Sequence, residues 1–197
     1  ITVPMLFIFV RWRRLKDKYL PFIILVLVGL SNELLSLNNA YTSHSNAINS
    51  NIFVLLEFLL ISILFSKLHS GLSKTFILTI LLLGICIWIT DNFIISSLST
   101  NNSLFRMIAS LLIVYLSIDK INQLIFFSRL SSLMNIDLWI ELGFLLFHTY
   151  KTFVESFHIF PMPLGRNFYE TLWFIMNIIN VFSNLLFTFA ILCLPKK

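Results

Sequence analysis

Six runs of roughly 20 predominantly apolar residues dominate the chain: Tyr19–Leu37, Asn51–Leu68, Thr75–Ile95, Leu104–Phe127, Ile136–Phe157 and Glu170–Leu194. A stretch of this length matches the roughly 30 Å hydrocarbon layer of a bilayer when wound at 1.5 Å per residue. A shorter run, MLFIFV at Met5–Val10, precedes them and is too short to span alone. It reads as the inner end of a seventh helix whose N-terminal part is incomplete in this sequence. The connections between runs are at most about 13 residues long, which leaves no room for a separate soluble domain. Only helices and closed barrels satisfy their backbone groups in lipid, and runs this long predict helices. The expected fold is therefore all-α: one integral membrane helical bundle over residues 1–197, with six to seven transmembrane helices.

Composition agrees. Of 197 residues, 58% are hydrophobic and only 12% charged, and the mean hydropathy is +0.91. A soluble domain has about a quarter of its residues charged, so this mixture cannot cover a water-facing surface. With two cysteines, Cys86 and Cys193, both in apolar runs, the chain has no disulfide framework and no Cys-x-x-Cys metal site.

Charge sorts the loops. RWRRLKDK (Arg11–Lys18), KLHSGLSK (Lys67–Lys74), the turn flanked by Lys120 and Arg129, and the tail with Lys196 and Lys197 are basic. NNAYTSHSNAINS (Asn38–Ser50) and SSLSTNNS (Ser96–Ser103) are uncharged, and HIFPMPLGRN (His158–Asn167) carries only Arg166. Basic and near-neutral loops alternate. The positive-inside rule then predicts a bacterial inner-membrane protein with a cytoplasmic C-terminus. Its cytoplasmic basic face is Arg11, Arg13, Arg14, Lys16, Lys18, Lys67, Lys74 and Arg129. The formal net charge of +5 is on this reading a topology signal, and nucleic acid is not the expected partner.

The residues that break the apolar pattern are the candidate site. Glu141, His148, Lys151 and Glu155 fall within an arc of roughly 80° on one helix and along about 21 Å of its axis. Glu170, Asn177, Asn180 and Asn184 repeat the same spacing in the last run, so the two stripes can face one another. Glu33, Glu57, Asp91 and Arg106 add polar groups toward the outer ends of other runs. A charge at the bilayer centre costs at least ~2.5–3.5 kcal/mol, so such side chains point into the bundle, pair, or meet water. Two arrangements satisfy that. One is an outward-facing polar cavity for a proton or small ligand, formed by Glu33, Glu57, Asp91, Arg106, His148, Lys151, Glu155, Asn177, Asn180 and Asn184. The other is interhelical bonding by the Asn and Ser residues together with a structural Lys151–Glu155 pair.

Few chemistries fit. No phosphate-binding or dinucleotide-binding glycine motif and no His-Glu-x-x-His occurs. The spacing of His44, His69, His148 and His158 gives no metal site, and no cofactor is implied. Ser110, His148 and Glu155 could be drawn as a nucleophile–base–acid set, a combination that most polar membrane bundles offer.

Four segments carry a resemblance: SNELLSLNN (31–39), NIFVLLEFLLISILF (51–65), IDLWIELGFLLFHTYKTF (136–153) and LWFIMNIINVFSNLLFTFAILC (172–193). In this order they resemble a family of small multi-pass membrane proteins of Bacteroidetes. The matching positions are Asn32 and Glu33 at the end of one span, Asn51 and Glu57 in the next, Trp139 opening a later one, and the Asn177, Asn180 and Asn184 ladder. The family's Tyr-Phe-Ser is replaced here by Phe147-His148-Thr149, so the resemblance implies no role for His148. Its members are encoded beside sensor kinases, and a similar group comprises membrane accessory proteins encoded beside RNA-targeting CRISPR nucleases. The resemblance implies a sensory or accessory subunit with a cytoplasmic protein partner of one of those kinds. Besides that partner, membrane lipids and further copies of the chain are expected contacts. The expected function is thus a non-enzymatic accessory or sensory protein. The alternatives are a pore or permeability effector serving antiviral defence beside the nuclease, and an intramembrane lipid-modifying enzyme using His148 and a carboxylate.

Overall fold

The computed structural model describes residues 1–11, 17–69, 71–127, 135–160, 163 and 165–193. Among these, 88% are helical and there is no strand. The seven helices are α1 (Thr2–Arg11), α2 (Leu20–Tyr41), α3 (Ala47–Leu68), α4 (Lys74–Ile89), α5 (Ser103–Phe127), α6 (Ile136–Ile159) and α7 (Arg166–Leu192). A 3-10 turn, Asp17–Tyr19, leads into α2, and α4 continues as a π-helical segment, Thr90–Ile95. The helices follow the apolar runs to within a few residues. α2 continues four residues beyond Leu37, because Ser36 and Asn39 bond across the turn to Asn46. α7 begins four residues before Glu170, where Arg166 and Glu170 form an i,i+4 ion pair at 2.6 Å.

Among the described residues, four helical stretches are long and apolar enough to cross a membrane: Asp17–Tyr41, Ala47–Leu68, Lys74–Ile95 and Arg166–Leu192. This differs from the six runs of the sequence. α5 and α6 have the length, but α5 carries Arg106, Asp119 and Lys120, and α6 carries Asp137, Glu141, Lys151 and Glu155. What distinguishes α6 is where those charges sit, since all four are buried. Large apolar side chains are instead exposed along every long helix, among them Leu34, Ile52, Leu83, Leu111, Phe153 and Phe174. In water, such continuous apolar surface would be a site of aggregation.

The chain divides into two compact units. Unit 1 comprises residues 1–15 and 110–197, hence α1, α5 from Ser110 onward, α6 and α7. Its α6 and α7 pack along their length. Antiparallel ring contacts run from Trp139–Phe189 at one end, through Phe144–Phe187, to Phe157–Phe168 at the other. Gly143 makes this approach possible, because a Cβ there would collide with the Phe187 ring. α1 lies on α7 with Ile8 buried. The Arg11 guanidinium donates to the carbonyls of Ile191 (3.1 Å) and Leu192 (2.7 Å), so the C-terminal ends of α1 and α7 share one end of the unit. A cation there complements the helix dipole and bonds carbonyls that the helix leaves free.

Unit 2 comprises residues 16–109. Here α3 is central, packing against α2 on one side and α4 on the other. Its buried residues, Val54, Phe58, Ile61 and Phe65 among them, recur at three- and four-residue steps, as one helix face requires. Gly84 lets α4 approach, since a Cβ there would meet the Phe58 ring. Lys67 Nζ donates to the Asp17 carbonyl at 3.2 Å, joining the chain before α2 to the end of α3. At the opposite end, Asn49 Nδ2 donates to Asn32 Oδ1 at 2.9 Å, and the Asn/Ser/Thr-rich connections collect there.

Candidate functional site

Unit 1 carries a polar column on α6. Helical winding places Glu141, His148, Lys151 and Glu155 on one face, and packing turns that face inward. Glu141 is 0% exposed, His148 1%, Glu155 6% and Lys151 7%. α5 supplies two serines to the column. Ser110 Oγ and His148 Nδ1 are 3.3 Å apart, both buried. Seven residues further along α5 and seven residues back along α6, the pairing repeats: the Ser117 hydroxyl lies beside the Glu141 carboxyl, with Lys120 and Asp137 the charged groups nearby. Seven residues are close to two helical turns, so an antiparallel pair meets again at that step. The Ser117–Glu141 contact lacks the geometry of a formed hydrogen bond, and Ser117 Oγ and both Glu141 oxygens are buried without one. Phe147 encloses the column from its own helix, edge-on to His148 at 5.2 Å and beneath Lys151 Nζ at 5.6 Å.

The Asn ladder of α7 behaves differently from the facing stripe that its spacing suggests. Asn177 is on the exposed side of the helix, and Asn180 and Asn184 are half-buried. Asn184 Nδ2 bonds along its own helix, to the Asn180 carbonyl at 2.8 Å and to Asn180 Oδ1 at 3.0 Å. The contact face of α7 toward α6 is apolar instead. A groove of about 700 Å³ lies between these helices, lined by Leu142, Leu145, Leu146 and Phe153 of α6 and by Ile179 and Leu186 of α7. It occupies a different face of α6 from the polar column.

Unit 2 carries the other polar centre, organised by Asn51 near the start of α3. Asn51 Nδ2 donates to the carbonyls of Leu98 (3.1 Å) and Thr100 (2.7 Å). Asn51 Oδ1 accepts from Arg106 Nη2 at 2.8 Å, and its carbonyl accepts from Trp88 Nε1 at 3.0 Å. Arg106 also donates to Ser50 Oγ and to the Asn102 carbonyl. Asn102 Nδ2 donates to Asn92 Oδ1 at 2.8 Å, while Asn102 Oδ1 accepts from Ser96 and Thr100. The π segment brings the consecutive residues Asp91 and Asn92 inward. Asp91 Oδ2 accepts from the Phe105 amide at 2.8 Å, capping α5 from another helix.

The expected site residues therefore separate. In unit 2, Asp91 and Arg106 belong to the Asn51 network, Glu57 is buried on α3 and Glu33 is half-exposed on α2. In unit 1, His148, Lys151 and Glu155 share the α6 column, which Asn177 does not join. Of the expected basic face, Arg11 caps α7, Lys18 Nζ lies 4.6 Å from the Tyr19 ring centre, Lys67 bonds Asp17, and Lys74 is exposed at the start of α4. Arg13, Arg14, Lys16 and Arg129 lie outside the described residues. Glu141 belongs to the expected stripe but not to the expected cavity, and neither Ser117 nor Lys120 was expected beside it. Asn51 is named in the sequence only as a position of the family resemblance, and nothing local marks it as a hub. Among the described residues, no three His, Cys, Asp or Glu side chains converge as metal ligands.

No family model, curated protein or solved structure matches this chain.

Proposed function

We propose that this chain is a multi-pass protein of a bacterial inner membrane, with its C-terminus in the cytoplasm, acting as a non-enzymatic sensory or accessory subunit. The observation that carries the reading is the burial of His148, Lys151 and Glu155 on a single face of α6, in a chain whose apolar side chains point outward. A soluble helix places its charges toward water, whereas a membrane helix turns them inward and keeps them where they have a use. On this reading, protonation or binding of a small polar ligand at His148, Lys151 and Glu155 shifts the packing of α6 against its neighbours. The shift reaches the basic loops, which contact a cytoplasmic partner. The resemblance to small Bacteroidetes membrane proteins supports two partner classes, a sensor kinase and an RNA-targeting CRISPR nuclease.

Two experiments test the reading. With Cys86 and Cys193 replaced, S99C is expected to react with a membrane-impermeant maleimide on intact cells, and G71C only after permeabilisation. Labelling of both from outside, or of neither after permeabilisation, contradicts the topology. His148→Ala and Glu155→Gln are then expected to assemble normally yet to change the yield of the partner co-purified from native membranes. Wild-type recovery with both variants would remove the column from the mechanism.

A further inference from the structure

The inner end of the α6 column is a separate site. Glu141 is 0% exposed, and neither of its oxygens has a hydrogen bond. Ser117 Oγ beside it is equally buried and equally without a bond. Two adjoining orphan polar groups on facing helices are costly, because each has given up its water without gaining a partner. An ionised carboxylate and a hydroxyl could resolve this in one way only, with Ser117 donating. A carboxylic acid adds the converse, because its O–H can donate to Ser117 Oγ while the second oxygen stays neutral.

We propose that Glu141, Ser117, Lys120 and Asp137 form a proton-binding site in which Glu141 holds the proton and donates it to Ser117 Oγ. The proton adds to one carboxylate oxygen and leaves from the same oxygen, with no other bond made or broken. Asp137, one turn nearer the start of α6, and Lys120 on α5 are the charged groups that act on Glu141. α7 packs against this stretch of α6 with Phe187 and Phe189; its titratable residues, Arg166, Tyr169 and Glu170, lie at its far end, and Cys193 follows its near end. Arg11 of α1 is engaged with the last carbonyls of α7. Ser110 and His148, two turns further up, repeat the serine–titratable pairing. The proposal rests on the reading of α6 as a membrane span only for the direction from which the proton arrives.

The test is infrared difference spectroscopy of the purified full-length chain in lipid, titrated across neutral pH. A protonated carboxyl has a carbonyl stretch distinct from the carboxylate bands. Wild-type protein is expected to show that stretch at neutral pH, Glu141→Gln to lose it, and Glu155→Gln to keep it. Ser117→Ala, a mild change that keeps the fold if Glu141→Gln does not, is expected to displace the band as the hydrogen bond is lost. A spectrum in which Glu141→Gln removes no protonated-carboxyl band, or in which Ser117→Ala leaves the band unmoved, overturns the proposal. The first result would mean that Glu141 is ionised against Lys120. Because this readout involves no partner and no topology, its failure leaves the proposed accessory function standing, and the reverse also holds.

Discussion

The Asn51 network of unit 2 and the Glu141–Ser117 end of the α6 column in unit 1 are equally far from solvent and very differently bonded. Asn51, Asn92, Asn102 and Asp91 are each buried and each bonded to a defined partner, mostly backbone carbonyls, amides and one another. Along the α6 column, Glu141 and Ser117 are buried with no bond at all, and the contact between His148 and Ser110 is long at 3.3 Å. A satisfied network rigidifies the structure it sits in, whereas a buried polar group without a bond is costly and needs a reason to be there. The first reads as architecture, and the second is where we propose that a proton is bound.

The sharpest way to break this comparison is Asn51→Ala. It leaves the Leu98 and Thr100 carbonyls and the Arg106 guanidinium short of a partner, and the expected loss is on the order of 3 kcal/mol. A large drop in the thermal unfolding midpoint in detergent would confirm it, and a midpoint within a degree of wild type would mean that the network is not architectural. Packing should not discriminate between the units. Gly84→Ala and Gly143→Ala each drive a methyl into a phenylalanine ring and should each cost about 1–3 kcal/mol by the same measurement. Asp91→Ala removes a cap from the first turn of α5 and should cost about 1 kcal/mol, with faster amide exchange confined to that turn. Arg11→Ala frees the last carbonyls of α7, with an expected cost of roughly 0.3–1 kcal/mol, visible as earlier proteolytic trimming of the C-terminal end. The smallest effect has the opposite sign. Ser183 Oγ in unit 1 is buried without a partner, so Ser183→Ala should be neutral or raise stability by a few tenths of a kcal/mol. A loss of a full kcal/mol there would reveal a bonding role and weaken the contrast.

Much of the fold could be read in advance, because each long helix is written locally. Runs such as NIFVLLEFLLISILF carry their own length and helical character, and the loops between them are too short for anything else. The site could be read only in part. Glu141, His148, Lys151 and Glu155 lie on one helix, so their common face follows from the 100° step alone. The ladder Asn177, Asn180 and Asn184 has the same pitch, yet Asn177 is exposed and Asn184 bonds back to Asn180. Equal pitch sets the separation of residues within a helix and says nothing of how that helix is rotated about its axis.

Whatever depends on neighbours a few residues apart could thus be read from the chain alone: an all-α fold of six to seven helices, their approximate ends, and the alignment of four titratable groups along α6. Which polar groups are satisfied depends instead on contacts between helices far apart in the chain. Asn51 finds its carbonyl partners 47 and 49 residues away and its arginine 55 residues away. Ser110 meets His148 across 38 residues, while Glu141 and Ser117 come together unbonded. These outcomes depend on the register and rotation of one helix against another. The packing of many side chains sets both at once, and no short stretch of sequence encodes either.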